Sequence, residues 1–271
     1  MANNKQKIRL TAEQETLLIT LYAKANACPE VLMADKKSQE ILAQIDYDFS
    51  QLKVPIGTSL TVCIRARKID ETVQAFLASH PGSGVVYLGC GLDSRCTRIN
   101  HEDVEWYDLD LPEVIELRRN FFEDSSDYHM IPCSVTDLIW TESIADQNPI
   151  GMIIAEGLMM YLSEAQVKAL ILKLKARFPG SLLVFDAYSK LTASRVKDHP
   201  SLRKTGAKIQ WGIDDPKGIE NWAEGIQLQE EWFFTQSEAI GQLAFRYQLI
   251  FKITGLFMTA KRAHRILIYT L

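Results

Sequence analysis

Val85-Val86-Tyr87-Leu88-Gly89-Cys90-Gly91-Leu92-Asp93-Ser94-Arg95 decides how the rest of the chain is read. The run Val85 to Leu88 is short, apolar and closed by glycine, the pattern of a fully buried strand. At Gly89-Cys90-Gly91 the chain must turn sharply and let a ligand approach its backbone. Further on, Trp106-Tyr107-Asp108-Leu109-Asp110 reads as a second strand ending in a carboxylate. Strand, Gly-x-Gly turn, strand and terminal acid is the layout of a nucleotide-type site. The turn cradles the ligand and the acid accepts hydrogen bonds from ribose hydroxyls.

The remaining strands alternate with helices, which predicts a doubly wound parallel sheet. After Val85–Leu88 and Glu105–Leu109 they are expected at Tyr128–Val135, Gly151–Glu156, Ser181–Ala187, Ile226–Phe234 and Arg265–Leu271. Helices are expected from the capping box Thr11-Ala12-Glu13-Gln14 to Cys28-Pro29, over Asp35–Gln44, and over Ser59–Ser79. Others are expected over Glu113–Phe122, over Ser163–Phe178 behind a second capping box, and over Gln236–Phe251. The stretch 188–226 is too long for a simple connection and reads as a wall or lid at the carboxyl ends of the strands.

The 271 residues suffice for one generous α/β domain or two small ones. A net charge of −4 argues against non-specific nucleic-acid binding, which needs basic surface. No segment approaches the ~20 apolar residues of a membrane span. Met1-Ala2-Asn3-Asn4-Lys5 lacks an apolar signal-peptide core. Cys28, Cys63, Cys90, Cys96 and Cys133 form no Cys-x-x-Cys pair and read as reduced thiols of a cytoplasmic protein.

A complete dinucleotide fingerprint would carry a third glycine where Ser94 stands, so the glycine turn alone is weak. Its longer context is more specific. Leu88 to Arg95, then Asp108-Leu109-Asp110-Leu111-Pro112-Glu113-Val114, then Ala155-Glu156-Gly157-Leu158-Met159-Met160-Tyr161-Leu162 resembles the leucine carboxyl methyltransferase family. The resemblance runs from about Tyr47 to the C-terminus and is strongest to the bacterial polyketide O-methyltransferase branch.

The resemblance implies a class I S-adenosylmethionine-dependent methyltransferase. Its Rossmann-like sheet would have about seven strands, the last antiparallel. The whole chain, 1–271, would be one domain. It would comprise N-terminal helices (1–80), a cofactor-binding core (81–187), a substrate-capping insertion between strands five and six (188–225) and C-terminal strands and helix (226–271). The reaction implied is methyl transfer to a hydroxyl or carboxylate of a small, polyketide-like molecule. A protein carboxyl methyltransferase and a non-catalytic cofactor-binding protein are the alternatives. A nicotinamide-dependent dehydrogenase is disfavoured by the missing third glycine and by Asp110-Leu111-Pro112.

By the same resemblance, an arginine in the helix before the first strand contacts the methionine carboxylate. Arg65 fits that place best and Arg67 is the alternative. Gly89, Cys90, Gly91, Asp110, Leu111, Ser134, Val135 and Glu156 are the other expected cofactor contacts. Ser134 stands where the phosphatase methyltransferases hold adenine with an aspartate. Asp93 and Arg95 read equally as a structural ion pair. Tyr161 could border the acceptor. No obvious base is visible: His80, His101, His129 and His264 read as surface or packing residues, and His199 in the insertion is the one worth testing. The insertion's basic side chains, Lys190, Arg195, Lys197, Arg203, Lys204 and Lys208, read as a solvated face or as a site for an anionic substrate. No metal site is expected.

Overall fold

The computed structural model describes residues 16–27, 32–52, 54–100, 104–144, 149–196 and 208–271. Its centre is a seven-stranded sheet of order β3-β2-β1-β4-β5-β7-β6. The strands are β1 (Gly84–Leu88), β2 (Trp106–Asp110), β3 (Tyr128–Pro132), β4 (Ile150–Ala155), β5 (Leu182–Tyr188), β6 (Gln227–Phe233) and β7 (His264–Thr270). β1 to β5 pair in parallel, whereas β7 runs antiparallel to both β5 and β6. This is the class I methyltransferase arrangement expected from the motifs. Strand order reverses at β1 and β4, so a crevice opens at their carboxyl ends.

Both faces of the sheet are covered, which is why its central strands β1 and β4 carry no charged residue. Val85, Tyr87, Ile154, Val184 and Ile266 point to one core, with Leu18 and Ile64 from the N-terminal helices. Val86, Leu88, Ile153, Phe185 and Leu267 point to the other, with Val167 and Leu170. The helices on the first face are α1 (Thr16–Tyr22, continued by a π-turn over Ala23–Ala27), α2 (Lys36–Gln44) and α3 (Ile56–Ser79). Asp35 caps α2, its side chain accepting from the Ser38 N–H at 2.9 Å. The short α4 (Arg95–Arg98) follows the glycine turn, and α5 (Pro112–Arg118) begins with proline at its first turn. α6 (Glu164–Arg177) carries the second expected capping box, Ser163 and Gln166 each bonding the other's backbone N–H, and α7 (Lys190–Val196) follows β5. The first box, Thr11 to Gln14, lies outside the described residues.

Three expectations need correction. The single helix Gln236–Phe251 is instead two short 3₁₀ turns, Phe234–Gln236 and Glu238–Gln242, followed by α8 (Phe245–Leu256) and α9 (Met258–Lys261). The turns let Phe234, Ala239 and Leu243 bury together, whereas α8 buries no side chain. β3 stops at Pro132 rather than Val135, because proline has no N–H to continue the ladder. Cys63, expected as a reduced thiol, is disulfide-bonded. The packing of α3 on the π-turn brings this buried sulfur to the N-terminal segment, which linear spacing does not reveal. Cys90, Cys96 and Cys133 are free. No helix among the described residues is long and apolar enough to cross a membrane.

Asp108 shows how the glycine turn is held. It is fully buried and accepts from Trp106 Nε1 at 2.8 Å, from the Tyr128 hydroxyl at 2.7 Å and from Arg118 Nη2. Arg118 in turn donates from Nη1 to the carbonyls of Gly91 at 3.0 Å and Asp93 at 2.7 Å. One ion pair under β2 therefore fixes the loop that must meet the ligand. Replacing Arg118 with Met leaves the Asp108 charge buried without its partner. The variant is expected to lose about 3–5 kcal/mol of stability, read from urea unfolding midpoints.

Candidate active site

A cavity of about 830 Å³ opens at the carboxyl ends of β1, β2, β4 and β5. All nine residues expected to bind the cofactor line it: Arg65, Gly89, Cys90, Gly91, Asp110, Leu111, Ser134, Val135 and Glu156. Tyr161 lines it as well. The elements bring them there for separate reasons. Gly89 and Gly91 have φ of 66° and 53°, a region that glycine enters without strain. Asp110 ends β2 and accepts from the Gly91 N–H at 2.7 Å and from its neighbour's, Leu111, at 2.7 Å. A carboxylate offers about four lone-pair positions, so two remain for a ligand. Burial raises the Asp110 carboxyl, and those two N–H bonds act against that rise.

The opposite end of the cavity holds two cations, Arg65 and Lys24, set among carboxylates. Arg65 Nε donates to Glu156 Oε1 at 3.0 Å and Nη1 to Asp186 Oδ2 at 2.8 Å. Burial opposes its charge, but Asp186 and Glu156 outweigh burial and keep the guanidinium ionised. Its Nη2 donates to no described side chain and lies beside Gly157, where a Cβ would approach it to 3.3 Å. Arg67, the alternative, faces away in an exposed pair with Glu71 at 2.7 Å. Lys24, which the sequence reading missed, reaches the same place from the π-turn. It lies 3.0 Å from Asp93 and 3.9 Å from Glu156.

Glu156 is the hub of this end. Its second oxygen accepts from Arg95 Nη2 at 2.5 Å. Burial alone would raise its carboxyl; Lys24, Arg65 and Arg95 together hold it below the ordinary value. Arg95 is fully buried, pairs with Asp70 at 2.7 Å and lies over the Tyr87 ring. Asp93 and Arg95 are therefore ion-pair partners in the wall, and Asp93 also borders the cavity.

Asp186 and His264 were not singled out from the sequence. Asp186 accepts from the Gly157 N–H at 2.5 Å, from Arg65, and from His264 Nε2 at 2.7 Å. His264 lines the cavity, which corrects the expectation of a surface or packing histidine. His80 and His129 do behave as expected: one stacks on Phe76, the other pairs with Glu105 at 2.7 Å. His101 and His199 lie outside the described residues. Two signals could have found the pair. Asp186 is a lone carboxylate in the apolar run Leu182 to Ala187, and His264 opens the last strand.

Tyr161 bonds the Thr16 side chain, and burial raises its hydroxyl, so at neutral pH it is a hydrogen-bonding group rather than a base. The return leg of the insertion closes the cavity beside it. Gln210 binds the carbonyls of Met160 at 2.8 Å and Tyr161 at 2.6 Å, and the Ile213 N–H reaches Tyr188 at 2.8 Å.

Along the cavity the lining runs from Arg65 and Lys24 to Asp110, with the apolar Leu111, Val114 and Val135 and the hydroxyl of Ser134 beside it. Gly157, at a φ of 68°, brings its backbone against the Arg65 guanidinium, where a side chain would crowd it.

The leucine carboxyl methyltransferase family model matches residues 23–175. The tetracenomycin polyketide synthesis O-methyltransferase TcmP of Streptomyces glaucescens is 38% identical over 98% of this chain and 99% of that protein. The S-adenosyl-L-methionine-dependent methyltransferase dpfgK of Gibberella zeae is 30% identical over 85% of each. A crystal structure of a DUF574 family protein from Streptomyces avermitilis shares the fold, with a TM-score of 0.58 at 11% identity over 96% of this chain and 99% of that one. Asp110→Ala is expected to weaken S-adenosylmethionine binding by about 1.5–3 kcal/mol, the loss typical of hydrogen bonds to a charged group. Calorimetric titration measures it, and unchanged affinity would move Asp110 out of the site. The fold, the lined cavity and the match over 23–175 agree: the chain belongs to the leucine carboxyl methyltransferase family and is an S-adenosylmethionine-dependent O-methyltransferase.

Proposed function

We propose that the enzyme methylates an oxygen, hydroxyl or carboxylate, of a small polyketide-like molecule. S-adenosylmethionine, when bound, supplies the methyl group as an electrophile on a sulfonium. The chain's residues bind, orient and dry the reactants. Arg65, Lys24 and Asp110 are assigned to the cofactor's two ends, and holding donor and acceptor in line lowers most of the barrier. Tyr161, Tyr188, Val196, Ile209 and Gln210 are assigned to the acceptor.

The observation that carries this reading is the walling of the cavity by the insertion. Residues 208–213 are hydrogen-bonded to the segment after β4 on one side and to the end of β5 on the other. Such a wall suits a compact molecule better than a protein tail, which needs an open groove. In this reading 188–225 is the substrate cap of a single-domain enzyme. Substrate choice resides in that cap. We place the enzyme in the cytoplasm on its three free thiols, Cys90, Cys96 and Cys133, against which the disulfide at Cys63 counts.

The test is a methylation assay with isotopically labelled S-adenosylmethionine. Aromatic polyketide phenols and acids are offered beside a peptide ending in a leucine carboxylate. Label on a small molecule alone is expected. Label on the peptide alone would make the enzyme a protein carboxyl methyltransferase. Cofactor binding with no labelled acceptor in either class would favour a binding protein.

A further inference from the structure

His264 is placed as a proton acceptor would be. It sits at the start of β7, opposite Tyr188 on β5, and lines the same cavity as Arg65 and Tyr161. Its Nε2 lies 2.7 Å from Asp186 Oδ2. Asp186 also receives Arg65 Nη1 and the Gly157 N–H, so it is ionised and can only accept. The proton of that contact therefore belongs to Nε2. This leaves the lone pair of the neutral imidazole on Nδ1, which has no partner among the described residues. The ring is fixed between Tyr188 and Phe234, with centroids 4.5 and 4.6 Å away.

We propose that His264, oriented by Asp186, is the general base that takes the proton from a hydroxyl of the acceptor, so that the acceptor is a phenol or enol rather than a carboxylic acid. The inference rests on the O-methyltransferase reading and deepens it. A carboxylic acid is already ionised at neutral pH and gives a base nothing to do; a phenol, with a pKa near 10, does not ionise unaided. The acceptor proton passes to Nδ1. The oxygen's electron pair enters the new bond to the methyl carbon, and the pair of the broken carbon–sulfur bond stays on sulfur. The imidazolium is held by Asp186 until its proton leaves to solvent. The charged and titratable groups that face His264 are Arg65 from α3, Glu156 from the end of β4, and Asp186 and Tyr188 from β5. Burial keeps the ring below its ordinary value despite Asp186, so the base is free at neutral pH.

The test uses the full chain, wild type and His264→Asn, saturated with S-adenosylhomocysteine. The probe is 1-naphthol, whose ionisation is read from its absorption. Wild type is expected to ionise the bound probe at a pH where it is neutral in water. His264→Asn should lose this while binding S-adenosylhomocysteine unchanged. Histidine ¹⁵N spectra should show His264 as the Nε2–H tautomer, with a protonation midpoint below about 6.5. With a phenolic acceptor, kcat should fall about 100-fold or more in the variant, and the acid limb of the pH profile should vanish. Wild type that leaves the naphthol neutral, bound or not, overturns the proposal, as does an Nδ1–H tautomer or equal ionisation by the variant. Failure of wild type to bind S-adenosylhomocysteine, read by calorimetry before the probe is added, would instead overturn the methyltransferase reading.

Discussion

Glu156 is a carboxylate at the carboxyl end of a buried strand, and the active-site end of the molecule is built to satisfy it. Left alone there, its charge would cost several kcal/mol. Arg65 from α3, Arg95 from α4 and Lys24 from the π-turn surround it instead. Each cation is balanced again: Arg65 by Asp186, Arg95 by Asp70 and Asp93, Lys24 by Asp93. Such a network is weak evidence for stability, since well-packed apolar residues often do as well. What it gives is position. Three helical elements from remote parts of the chain are tied to one strand end, and two of the cations are left with a face toward the cavity.

Arg118 and Asp108 do the equivalent work at the other end. They hold the carbonyls of the glycine turn from below, so its N–H groups and Asp110 face upward. The two acids of Asp108-Leu109-Asp110 share one side of the strand, yet their depth separates their tasks. Asp108 is saturated by Trp106, Tyr128 and Arg118. Asp110 sits at the rim, with lone pairs to spare.

The half of the site that could be read from the sequence is the half built from adjacent strands. Glycine turn, Asp110, Ser134 and Glu156 all sit at the carboxyl ends of parallel strands, so alternation and turn chemistry place them together. Arg65 needed the family resemblance, because helix periodicity alone does not say which arginine turns inward; the structure separates it from the exposed Arg67. Lys24 and Asp186 escaped because each is defined by a partner far away in the chain. Lys24 is buried only because Asp93 and Glu156 are there. The helix forecast for Gln236–Phe251 failed for a related reason. Its apolar residues divide between a core-facing group near Phe234 and a face on α8 that the described structure leaves open.

His264 is the clearest case of a residue whose meaning comes from topology. A histidine opening an apolar strand says little, and the strand could have joined the sheet at its edge. Instead β7 inserts between β5 and β6 and runs against β5. An antiparallel strand begins where its neighbour ends, so the first residue of β7 arrives at the carboxyl end of β5, where the parallel strands converge on the cavity. A parallel β7 would have delivered its last residues there and left His264 at the opposite end of the sheet. The reversal also sets His264 and Asp186 on one face, two residues apart in register, close enough for the 2.7 Å contact. Through Asp186 the imidazole is linked to Arg65, the residue assigned to the cofactor carboxylate. The strand that closes the fold thus connects the acceptor side of the cavity to the donor side by a single shared carboxylate.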